Sequence, residues 1–305
     1  MNIPIVFACD NNYALPTAVA ITSMIANKEA GTCYDIWILT NALSDVHAQR
    51  LASLACPGVT VTIKAVPDRH CDIPGHGHVT TTALYRLALP ELFPEHDAVL
   101  YLDGDIVVLS DLTPLLAIDL GRHYAAAVQQ IVILDLPPYP FHAHGKAFFS
   151  GVLLLNLRRM REENMYPRLI ESVIRNNIGA NDQLALNQNF KQDIVWMDLA
   201  YNFCNSYDML CTDREAARHF GITPGEWRRV RKNPVILHYI DAKPWLVRHC
   251  LRSNVWRRYY RQSPYRDVAP PYRPSPKAFF IWLLDIFLPG FLRPFLRRLY
   301  VRFVR

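Results

Sequence analysis

Four short apolar runs alternate with three stretches of helical spacing in the first 103 residues, and that alternation limits the chain to few folds. The runs are IPIVFA (3–8), YDIWILT (34–40), VTVTIKAV (59–66) and DAVLYLD (97–103). Between them lie ALPTAVAITSMIANKEAG (14–31), SDVHAQRLASLAC (44–56) and TTTALYRLALPELF (80–93). Strand, helix, strand in this order predicts βαβ units and a mainly parallel sheet. The runs are apolar throughout, as strands covered on both faces are. DNNY (10–13) supplies turn and cap residues, Gly31 a helix stop and Ser44 an N-cap. Further strands are expected at YAAAVQQ (124–130) and GVLLLNL (151–157). A helix limited by Pro167 is expected over 158–177, and a strand running into a loop over 233–245. With 305 residues the chain has room for one large α/β domain with an appendage, or for two domains. It has no GxGxxG or GxxxxGK[ST], so the usual dinucleotide and P-loop signatures are absent. MNIPIVFACD has no charged n-region or cleavage site and reads as a first strand, not a signal peptide. Seven cysteines without a CxxC pair point to a reducing compartment.

The fourth strand ends on two acids, Asp103 and Asp105, separated by Gly104. In open α/β sheets ligands sit beyond the carboxyl ends of the strands. Two carboxylates so close repel, and burial raises one pKa unless a cation compensates. A divalent ion bridging a diphosphate would supply that cation. A turn cap plus a solvated acid is the other reading. Arg86, on an apolar helical stretch, is either paired with buried acids or a surface residue lying along its own stem.

FACDNNY (7–13), YLDGD (101–105), FFSGVLLLNL (148–157), ANDQLALNQ (180–188) and HYIDAKPW (238–245), in this order, resemble glycosyltransferase family 8. That family includes bacterial lipopolysaccharide galactosyl- and glucosyltransferases and glycogenin. The resemblance covers roughly residues 3–245. It implies a Rossmann-like nucleotide-diphospho-sugar transferase (GT-A) fold. Such a fold has a mainly parallel sheet flanked by helices, binds a UDP-hexose with Mn²⁺ (or Mg²⁺), and retains anomeric configuration. By the same resemblance, Asp10, Asn12 and Tyr13 hold uracil, and Ala8, Val79, Gly104 and Ser150 line the nucleotide-sugar site. Asp103, Asp105 and His238 bind the metal, an acid-and-imidazole set that suits Mn²⁺. Arg86 stands near the donor, Lys243 contacts the diphosphate, and the backbone of Asp241 occupies the place of a family glycine. Asp182 and Gln183 match the sugar-contacting pair and are the catalytic candidates, with Gln183 near the anomeric carbon. In isolation, Asp10 is equally a helix cap, and Asp182 an N-cap for the helix after it. Three departures bear on the donor: Phe149 replaces an asparagine, Gln130 an acid of galactose-transferring relatives, and HYIDAKPW is one residue short. RHCDIPGHGH (69–78) has His70, Cys71, His76 and His78 at spacings that fit no standard zinc site. His78 is expected in a lid over the donor.

The net charge of +6 is uneven: Leu246–Arg305 carries +11, leaving −5 for the rest. The last fifty residues mix aromatics, arginines and prolines, and the apolar stretch 278–292 is short of a membrane span. A Pro-rich linker (264–276) followed by a basic-aromatic amphipathic anchor at an anionic membrane surface is expected, not a nucleic-acid site. The expected division is 1–250, catalytic, and 251–305, linker and tail. The expected location is cytoplasmic and peripheral on the inner membrane. The expected acceptor is a lipid-linked oligosaccharide of lipopolysaccharide core synthesis. A UDP-sugar-binding protein with little turnover and a glycogenin-like self-glucosylating enzyme are the alternatives.

Overall fold

The computed structural model describes residues 3–67, 81–130, 146–176, 181–191, 193–207, 211–240 and 242–287. The strands are β1 (Ile5–Ala8), β2 (Tyr34–Thr40), β3 (Val59–Ala65), β4 (Ala98–Leu102), β5 (Ile106–Val108), β6 (Ala125–Gln129), β7 (Phe148–Asn156), β8 (Ile194–Trp196), β9 (Phe203–Cys204) and β10 (Ile236–His238). Seven of them form one sheet in the order β3-β2-β1-β4-β7-β6-β8. Within it only β7 runs against its neighbours. This mixed α/β architecture, with a mostly parallel central sheet, is what the strand–helix alternation predicts and agrees with the fold that the family resemblance implies.

β1 lies between β2 and β4, so the chain's winding reverses there and the carboxyl ends of β1 and β4 open a crevice. Asp10 and Tyr13 follow β1, and Asp103 and Asp105 follow β4. The helix Ala14–Asn27 covers one face of the sheet, while the helices Met165–Asn176 and Asn181–Phe190 pack on the other. Both faces of β1 and β4 are therefore buried, which is why their sequences are unbroken apolar runs.

A second sheet, β5-β10-β9, holds the site together. β10 runs antiparallel to β5, with His238 opposite Ile106, and parallel to β9, with His238 opposite Cys204. The Tyr239 amide donates to the Asp105 carbonyl at 3.0 Å, extending that ladder to the acids. A histidine 133 residues away in the chain is thereby fixed beside Asp105.

Two helical expectations change in detail. The stretch 80–93 is three short pieces, with a tight 3₁₀ turn at Tyr85–Ala88 between the α-turns Thr81–Leu84 and Leu89–Leu92. Pro90 stands in the first turn of the last piece, where a missing N–H is tolerated. The stretch 158–177 is two helices, Leu157–Glu162 and Met165–Asn176. The break is at Asn164, which adopts φ 49°, and Pro167 sits harmlessly in the first turn of the second helix.

Residues 251–267 pack on the body. In the helix Ser253–Tyr260, Trp256 is wholly buried and the Tyr259 hydroxyl accepts from Asn27 Nδ2 at 2.8 Å. Tyr265 is buried, its hydroxyl 2.7 Å from His47 Nδ1, and Arg50 pairs with Asp267 at 2.7 Å. A last described helix, Pro276–Phe287, touches the body through His249, whose ring lies 4.4 Å from that of Trp282. It exposes Phe279, Phe280, Ile286 and Phe287. Among the described residues no helix is long and apolar enough to cross a membrane.

Candidate active site

Asp103 and Asp105 converge because Gly104 and Gly151 leave room. A Cβ on Gly151 would lie 2.5 Å from His238 Cε1 and 2.6 Å from Asp103 Oδ2. One on Gly104 would meet Thr17 Oγ1 at 2.4 Å. Asp105 is buried and bonded on both oxygens: Oδ1 lies 3.1 Å from His238 Nε2, and Oδ2 lies 2.6 Å from Lys243 Nζ. Burial alone would push its carboxyl up, but Lys243 and His238 outweigh burial and hold it well below the usual carboxylate range. Asp103 is held above its ordinary value, mainly by burial, with the Asp105 charge adding and Arg86 opposing. His238 Nε2 is also 3.9 Å from Asp103 Oδ2.

The ligand atoms of Asp103, Asp105 and His238 lie within 4.8 Å of one another. Two carboxylate oxygens and one imidazole nitrogen form a donor set for a divalent ion. The glycine clearances above fit this reading, since any side chain at 151 would push the donors apart.

Arg86 is the buried cation of the site. It reaches Asp103 Oδ1 at 2.9 Å, Asp182 Oδ2 at 3.2 Å and the Ser150 carbonyl at 2.8 Å, and lies over the Tyr101 ring. The paired reading of Arg86 therefore holds over the surface one. Its protonation is secure: burial lowers its pKa, but Asp103, Tyr101 and Asp182 more than reverse that. Tyr101 donates to Asp103 Oδ1 at 3.0 Å.

Asp182 and Gln183 open the helix Asn181–Phe190 and face Ser150. Ser150 Oγ donates to Asp182 Oδ2 at 3.1 Å, and the Ser150 amide donates to Gln183 Oε1 at 3.2 Å. Gln183 Nε2 donates to Gln130 Oε1 at 2.9 Å, so both ends of its amide are fixed. Asp10 Oδ1 accepts from the amides of Asn12 and Tyr13, both at 2.9 Å, so one of its oxygens shapes the turn. The Tyr13 ring meets Trp245 edge-on, 5.7 Å between centroids. Burial and the nearby acids push its hydroxyl far above the ordinary tyrosine range.

Ala8, Asp10, Tyr13, Arg86, Asp103, Gly104, Asp105, Ser150, Asp182 and Gln183 line one cleft. His238 and Lys243 adjoin it through Asp105, while Asn12 is exposed at its edge. Val79, His78, the other residues of the 69–78 loop, and Asp241 lie outside the described residues. Phe149 places its ring 6.4 Å from that of His238. Sequence reasoning missed Thr82, Ala83 and Tyr101 on the cleft wall and Asn202 behind His238. Of these, only Tyr101, two residues before Asp103 on the same strand face, carried a signal in the period-two pattern.

The pattern of Glycosyl transferase family 8 matches residues 4–248. Glycosyltransferase GlyE of Streptococcus pneumoniae is 33% identical over 171 residues, covering 55% of this chain and 38% of GlyE. The chain thus spans little more than a third of that relative's length. Lipopolysaccharide 1,2-glucosyltransferase of Escherichia coli is 24% identical over 291 residues, covering 88% of this chain and 80% of the relative. The solved structure of galactosyltransferase LgtC in complex with donor and acceptor sugar analogs superposes with a TM-score of 0.70 at 26% identity. It covers 87% of this chain and 99% of that one.

Proposed function

The chain belongs to glycosyl transferase family 8, and from that premise we propose that it moves a hexose, galactose or glucose, from a UDP-sugar onto a lipid-linked saccharide. The reading extends to retention of the anomeric configuration, to Mn²⁺ (or Mg²⁺) at Asp103, Asp105 and His238, and to lipopolysaccharide core synthesis. The observation that carries it is the convergence of those three side chains with Lys243 at the mouth of β4, beside the turn that follows β1.

Bound there, a divalent cation neutralises the diphosphate and stabilises the charge that develops on departing UDP. Lys243 adds an ammonium beside the same leaving group. Tyr13 offers an aromatic face for uracil, and the free oxygen of Asp10 an acceptor for its imide edge. Arg86, paired with Asp103 and Asp182, holds both carboxylates in place toward the sugar. Gln183 is clamped between Ser150 and Gln130, so its amide presents one orientation to the anomeric centre. An amide is a weak nucleophile. The acceptor hydroxyl therefore attacks on the face that UDP leaves: the C1–O bond to UDP breaks, the C1–O bond to the acceptor forms, and the hydroxyl proton passes to a phosphate oxygen.

The enzyme works at the cytoplasmic face of the inner membrane in this reading. The aromatic face of the helix Pro276–Phe287, followed by an arginine-rich end, holds it to anionic lipid. The test is a screen of UDP-glucose and UDP-galactose for metal-dependent release of UDP. Release from one of them, abolished by chelator and by Asp105→Asn, is expected. No release from either, with UDP still bound, would replace this reading by that of a UDP-sugar-binding protein.

A further inference from the structure

Behind His238, on the side away from the cleft, lies Asn202, wholly buried. It ends the short 3₁₀ turn Leu199–Asn202 that leads into β9, and the pairing of β9 with β10 sets it against the histidine ring. Its Oδ1 is 2.9 Å from His238 Nδ1. An amide oxygen only accepts, so Nδ1 carries the donated proton. The other ring nitrogen, Nε2, then faces Asp105 and Asp103. The amide Nδ2 of Asn202 has no hydrogen-bond partner among the described residues. A buried amide left half-satisfied is unfavourable for the fold alone. Among the described residues, the one hydrogen bond of its side chain is the one to the imidazole.

We infer that Asn202 is a positioning residue that sets the tautomer and ring orientation of His238, so that Nε2 is the atom presented to a divalent cation. Partners of this kind behind a metal-binding histidine typically change metal affinity by roughly 10–100-fold when removed. The inference rests on the metal reading above.

The test uses the full chain and Mn²⁺ alone, with free Mn²⁺ counted by electron paramagnetic resonance and unfolding followed without metal. Asn202→Leu keeps the branched shape of the side chain and removes the acceptor. Its Mn²⁺ affinity is expected to fall roughly 10–100-fold. Asn202→Asp keeps an acceptor at the same place but buries a further charge. It is expected to lower the melting temperature more than Asn202→Leu, yet to bind Mn²⁺ within about threefold of the unaltered chain, because a carboxylate orients the ring as an amide does. A purely structural asparagine predicts the same order for both measurements. Metal affinity that follows stability, or an Asn202→Leu chain that binds Mn²⁺ as well as the unaltered one, would overturn the inference. Failure of the unaltered chain itself to bind Mn²⁺ would instead strike the metal reading.

Discussion

Replacing Arg86 by Met keeps the volume of the stem and removes the charge. The structure gives the consequence directly. Arg86 is almost fully buried and makes close contacts with two carboxylates, Asp103 at 2.9 Å and Asp182 at 3.2 Å, besides the Ser150 carbonyl at 2.8 Å. Removing one partner of a buried ionic cluster leaves the others uncompensated, which costs about 3–5 kcal/mol. In a domain of this size each kcal/mol lowers the melting temperature by roughly 2–4 °C, so the loss at pH 8 is on the order of 10 °C. The sign of the pH dependence follows from Asp103. Burial already raises its pKa, and without the guanidinium it rises further. A folded-state pKa above the unfolded one makes the charged form the destabilised one, so the deficit is full at neutral pH and shrinks as the pH falls through the carboxylate range. Thermal unfolding of both chains at pH 8 and pH 5 measures this. Arg86→Lys, which keeps the charge but loses the fork, should fall between them. A melting temperature for Arg86→Met within about 2 °C of the unaltered chain at pH 8 would refute the argument, as would a deficit that grows toward acid.

Gly151→Ala puts a methyl 2.5 Å from the His238 ring and 2.6 Å from Asp103. It should cost about 1–3 kcal/mol of stability and lower metal-dependent UDP release at least tenfold; unchanged release would show that the donors need not converge there. Trp256→Ala should cost about 3–5 kcal/mol in denaturant unfolding, because the indole is wholly buried against the body. Truncation after Asp267 should spare small-acceptor activity and abolish sedimentation with anionic vesicles; vesicle binding by the shortened chain would remove the anchor from the account. Cys9 and Cys250, pushed up to about 12 by burial, should resist alkylation at pH 8 while exposed Cys33 reacts, as mass mapping of the labelled native protein will show.

The large sheet was legible because its strands are long apolar runs bounded by turn residues, and β2 falls on the residues expected of it. β5, β8 and β9 were not, since three or two residues carry no period. The acids were legible because carboxylates interrupt an apolar ridge. His238 could be tied to them only through the family pattern, for nothing local says that β10 pairs with β5. Asn202 left no trace at all: an asparagine ending a single 3₁₀ turn reads as surface, and only the β9–β10 pairing turns it inward. Arginine and proline content made the end of the chain read as tail from residue 251. Within that stretch Trp256 and Tyr259 lie buried in the helix Ser253–Tyr260, which packs on the body.

A cation held by two acids and an imidazole from far-apart parts of the chain is the centre of the proposed reaction. Anomalous diffraction at the manganese edge, from crystals soaked with Mn²⁺ and UDP, tests this most directly. The expected result is one peak in bonding distance of Asp103, Asp105 and His238 Nε2, with the diphosphate on its open side. UDP in the cleft with no peak there, or with His238 turned away from it, would contradict the account.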